Sequence, residues 1–92
     1  MSETYDAISD MAYLRQDIDI TDAQLVELLN QRCEQSLAIR RLKRHNGVEL
    51  YDAVREAEIL NSVAAANAGP LTDTGLRAIF SHILSVMRET SG

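Results

Sequence analysis

Ninety-two residues make one small domain, expected to cover residues 1–92 and near the lower limit for a self-sufficient hydrophobic core. Fourteen acids against nine lysines and arginines give a net charge of −5, which excludes the broad positive face that sequence-independent nucleic-acid binding requires. The lone Cys33 excludes an intrachain disulfide, and neither a signal peptide nor a membrane-spanning stretch is visible, so a soluble, cytoplasmic protein is expected.

Three helical stretches and no strand follow in chain order. The first runs from Asp6 or Ser9 to Arg44, uninterrupted by Pro or Gly. Its apolar stripe is Leu14, Ile18, Leu25, Leu28, Leu29, Cys33, Ser36 and Ile39. Asn46-Gly47 then signals a turn. Asp52 is placed to cap a second helix over 52–67, which Gly69 ends as a left-handed cap before Pro70. Thr72 or Asp73 caps the third, whose stripe is Leu76, Ile79, Phe80, Ile83 and Met87.

The first helix, at roughly 50 Å, is too long for two shorter helices to cover. A second copy of the chain is the simplest cover, so the expected architecture is all-α: three helices per chain in an intertwined two-fold homodimer.

Charge is unevenly distributed. Residues 1–31 hold seven acids and one base, Arg15, whereas residues 32–44 hold Arg32, Arg40, Arg41, Lys43 and Arg44 against Glu34 alone. An acidic chain with one basic segment suits a small anion better than a polyanion. Projected at about 100° per residue, Arg32 and Lys43 fall inside the apolar stripe, and Arg15 at its edge. Glu56 precedes Ile59, Leu60 and Val63 by three, four and seven residues and so lies on their face. Long cations can rest their stems on a core and reach water, but Arg32, Lys43, Arg55 and Glu56 together point to a polar pocket inside a bundle. Arg15 and Arg32 lie about 25 Å apart along one helix; antiparallel first helices in a dimer would bring Arg15 of one chain towards Arg32 of the other. His45 and His82 lack metal-ligand spacing, Cys33 reads as a small core residue, and no metal or cofactor is expected.

The segment "LRQDIDITDAQLVELLNQRCEQSLAIRRLKRHNGVELYDAVREAEIL" and the later "NAGPLTDTGLRAIFSHILSVMRE" resemble the all-helical chorismate mutase family (AroQ class). The likeness runs from Leu14 to Arg88. Its most specific parts are "LRxxID", the Arg of "LLNQR", a Lys eleven residues on, and "YDxxRE". The resemblance implies an isomerase, an intertwined homodimer with two identical sites, and cofactor-free Claisen rearrangement of chorismate to prephenate. It implies that Arg15 reaches a substrate carboxylate from the partner chain and that Arg32 holds the diacid. Lys43 donates to the ether oxygen, Arg55 adds positive charge near the carboxylates, and Asp52 and Glu56 lie near the ring hydroxyl. Lys43, Arg32 and Glu56 are thus the expected catalytic residues. Met87 and Ser91 stand where the family has a substrate-facing Ser and Gln, and Arg40 where it commonly has a small residue.

These departures leave alternatives open. One is a 4-amino-4-deoxychorismate mutase of an antibiotic pathway, in which Glu56 and Asp52 would meet a ring ammonium. Another is a non-catalytic regulatory dimer of the same fold docking on an aromatic-pathway enzyme. A partner enzyme that activates the mutase is a further expectation left open.

Overall fold

The computed structural model describes residues 3–91, with side chains from Asp6 onward. The described residues form three helices: α1 (Glu3–His45), α2 (Ala53–Ala66) and α3 (Asp73–Glu89). The fold is all-α, as expected. None of these helices is long and apolar enough to cross a membrane. Internal contacts divide the chain into two units, Met1–Glu34 and Gln35–Gly92.

The first unit contains only α1. Its acid-rich opening suits a helix N-terminus, where the backbone dipole favours negative charge, and nothing before His45 breaks the hydrogen-bond ladder. Within residues 6–34 no side chain is buried. Leu14, Ile18, Leu25 and Leu28, the expected inner stripe, remain 51–61% exposed. An isolated helix of this kind draws little stability from propensity alone.

In the second unit, the end of α1 is closed by two backbone bonds: Val48 N–H to Lys43 C=O at 2.8 Å and Gly47 N–H to Arg44 C=O at 3.3 Å. This Schellman arrangement needs a left-handed residue after the cap, and Gly47 supplies it with φ +67°. Asp52 caps α2, its Oδ1 accepting from Arg55 N–H at 2.9 Å. Thr72 caps α3 through Gly75 N–H at 3.0 Å.

One boundary and one helix face differ from expectation. Asn67, in extended conformation, is the C-cap of α2, and Gly69 lies two residues beyond with φ +78°. Asn67 takes over because its side chain organises the whole connection. Its Oδ1 accepts from Gly69 N–H at 3.0 Å, and its Nδ2 donates to Leu71 C=O and Asp73 Oδ1, both at 2.8 Å. In α3, Ile79 is exposed and Leu84 is buried, so the inner face is Leu76, Phe80, Ile83, Leu84 and Met87. It packs on α2, where Glu56, Ile59, Leu60, Val63 and Ala64 turn inward. Ala64, Leu84 and Met87 are the buried apolar residues of this small core.

Arg40 has a definite place here. Its guanidinium donates to Thr90 C=O at 2.5 Å and to Met87 C=O. Met87 C=O also accepts from Thr90 N–H at 3.3 Å, so Arg40 adds a second donor there, gives Thr90 C=O a donor, and complements the negative end of the helix dipole. A small residue at position 40 would remove the cation from this end of α3.

Candidate active site

The start of α2 is the centre of the candidate site. The Schellman turn and the short segment 48–52 return the chain beside the end of α1, so that Lys43 Nζ donates to Leu50 C=O at 3.2 Å. Leu50 is two residues before the cap, Asp52, and Glu56 lies in the first turn of α2. Lys43 thus lies beside the approach to α2, whose cap is Asp52 and whose first turn holds Glu56. Lysine has three donors, and the contact with Leu50 uses one, orienting the ammonium while leaving two N–H groups for another acceptor.

Glu56 occupies the inner face that its spacing predicted, with its side chain 23% exposed. It is not alone there. Arg88, in the last turn of α3, donates from Nη1 to both carboxylate oxygens at 2.5 and 2.6 Å. The Arg88 guanidinium carbon also lies 5.4 Å from the centroid of the Tyr51 ring, within cation–π range. Tyr51, Arg88 and Glu56 thus form one stack joining the approach to α2, the end of α3 and the first turn of α2. The sequence offered one signal for Arg88: it follows Leu84 by one helical turn. Assigning Ile79 instead of Leu84 to the inner stripe hid it.

The remaining expected residues fall in different surroundings. Arg55, expected to face inward, has its side chain 62% exposed within this chain and meets Glu58 at 3.5 Å. One residue from Glu56 means about 100° around the helix, which turns Arg55 away from the apolar face. Met87 is 7% exposed within the chain and completes the inner stripe of α3, as its spacing predicted. Ser91 lies exposed, one residue beyond the α3 cap Thr90. In the first unit, Arg15 is exposed and Arg32 half-buried. Their 17-residue separation along α1 keeps them about 25 Å apart within one chain.

Comparison with known proteins gives these positions a context. The family model for chorismate mutase type II matches residues 14–91. A bifunctional chorismate mutase/prephenate dehydratase from Neisseria gonorrhoeae (strain ATCC 700825 / FA 1090) is 34% identical over 85 residues. That alignment covers 92% of this chain and 22% of the relative, so the chain spans less than a quarter of that protein's length. Among solved structures, chorismate mutase (Form II) from Thermus thermophilus superposes with a TM-score of 0.85 at 30% identity, covering 87% of this chain and 91% of that one. Form I of the same protein gives 0.83 at 31% identity, covering 85% and 98%. On the family match over nearly its whole length and on these likenesses of fold, the chain belongs to the chorismate mutase type II family of isomerases.

Proposed function

We propose that this chain catalyses the Claisen rearrangement of chorismate to prephenate in a two-site homodimer. The observation that carries this reading is Lys43 held beside the approach to α2, whose first residues include Asp52 and Glu56, in a chain matched to the family over residues 14–91.

The chemistry asks for little more than such a site supplies. A pericyclic rearrangement needs no nucleophile and no proton transfer. It needs the enolpyruvyl arm held over the ring, which is an effect of positioning. Arg32, with Arg15 from the second copy, suits the two carboxylates because the planar guanidinium fork matches a carboxylate edge. As the C–O bond breaks, negative charge grows on the ether oxygen. Lys43 meets that charge with a fixed ammonium and stabilises the transition state more than the ground state. Glu56 and Asp52 receive the ring hydroxyl.

The first unit supports the homodimer. Leu14, Ile18, Leu25 and Leu28 form a long apolar face that its own unit leaves open to water, and a second α1 laid against it would bury that face. The same pairing would deliver Arg15 to the partner's Arg32.

Purified protein incubated with chorismate, and separately with 4-amino-4-deoxychorismate, tests this reading by kcat/KM. Conversion of chorismate to prephenate without added cofactor, with the higher kcat/KM of the two, is the expected result. Faster turnover of the amino compound would reassign the substrate, and turnover of neither would leave a non-catalytic dimer.

A further inference from the structure

The ion pair between Glu56 and Arg88 changes what the site offers to a ring substituent. An unpaired carboxylate at Glu56 would attract an ammonium more strongly than a hydroxyl. Here, both Glu56 oxygens already accept from Arg88 Nη1, and the pair is neutral overall. An ammonium brought to Glu56 would meet the like charge of Arg88 at the same range, and would also lose its own hydration. A hydroxyl meets no such repulsion and a much smaller desolvation cost, and a carboxylate with two oxygens has lone pairs left to accept from it.

The second carboxylate at this end of the unit is also compensated. Asp52 accepts from Arg55 N–H and stands at the positive end of the α2 dipole. Arg88 is held in place as well, since Tyr51 lies beneath its guanidinium and its backbone belongs to the last turn of α3. Specificity built from a repulsive element against the wrong ligand, rather than from added attraction to the right one, is a general device.

From this geometry we infer that Arg88 is a specificity-determining residue: by neutralising Glu56 it sets the site for a cyclohexadiene diacid whose ring substituent is an uncharged hydroxyl, against one bearing an ammonium. The inference rests on the mutase reading above. Arg88 acts through Glu56 and is a positioning residue, not a catalytic one.

The test is the ratio of kcat/KM for chorismate over 4-amino-4-deoxychorismate in wild type, Arg88→Gln, Arg88→Met and Arg88→Lys. Removing the charge in Arg88→Gln should lower the ratio by about tenfold, as expected for loss of one partly screened charge–charge repulsion. Arg88→Met, which keeps an apolar stem over Tyr51, should show the same fall and serves if the Gln variant is unstable. Arg88→Lys retains the charge and should hold the wild-type ratio. A general loss of structure lowers both rates together and leaves the ratio where it was, so it cannot mimic the effect. An unchanged ratio in both neutral variants, with wild type active, would overturn the role of Arg88 alone. A wild type that converts neither compound would overturn the mutase reading with it.

Discussion

Lys43→Ala is expected to lower kcat for chorismate by about 10²–10³-fold, the usual loss when one preorganised donor to a developing negative charge is removed. KM should change far less, because the charge on the ether oxygen arises only as the C–O bond breaks. Structure should survive. Lys43 is half-buried and its ammonium donates to Leu50 C=O, while α1 is closed by the backbone bonds of Gly47 and Val48. Steady-state kinetics with circular dichroism on the same sample checks both halves. A variant within tenfold of wild-type kcat would remove Lys43 from the reaction.

Leu25→Asp is expected to convert the protein from dimer to chain-mass species and to abolish activity. Leu25 is 51% exposed within its own chain and lies on the stripe that a second α1 would cover. Burying one leucine contributes about 1.5–3 kcal/mol. Two copies per dimer make the loss about 3–6 kcal/mol before any cost of desolvating the new carboxylates, or about 10²–10⁴-fold in the dimer dissociation constant. Light scattering on the eluting protein reads the mass directly. A variant that keeps twice the chain mass and normal turnover would show that this face lies outside the dimer contact.

These expectations rest on features that were legible to different degrees. Helix ends were readable where a local signal exists: Asn46-Gly47 for the Schellman turn, Asp52 and Thr72 for the caps. Each is decided within four or five residues, by hydrogen bonds between neighbours in the chain. Glu56 was readable on the inner face for the same reason, since its spacing to Ile59, Leu60 and Val63 fixes its direction. What the sequence hid were choices of partner across the fold. Arg88 meets Glu56 at a separation of 32 residues, and Arg40 meets Thr90 at 50. No periodicity encodes which carbonyl or carboxylate a long, flexible cation will find.

The inner face of α3 differs from expectation at one edge. Leu84 and Ile79 lie about 140° apart on a helix at about 100° per residue. Met87 lies near the middle of the stripe with either residue, and only the family resemblance placed it against substrate. With Leu84 inside, the inner face extends towards Arg88, one turn further on and beside Glu56. Asn67 displaced Gly69 as the C-cap for a related reason: an amide able to satisfy three backbone or side-chain partners outweighs the conformational ease of glycine two positions later.

The site as proposed belongs to no single chain, because Arg15 and Arg32 lie about 25 Å apart along α1. Mixing two damaged chains therefore tests the account at its narrowest point. Arg15→Ala and Lys43→Ala homodimers should each be nearly inactive on chorismate, since every site lacks one group. Unfolded together and refolded, half of a statistical mixture should be mixed dimers, each with one intact site of two, giving about a quarter of wild-type activity. Recovery near that fraction is the predicted result. A mixture no more active than the two variants measured apart would contradict a mutase site shared between two copies of this chain.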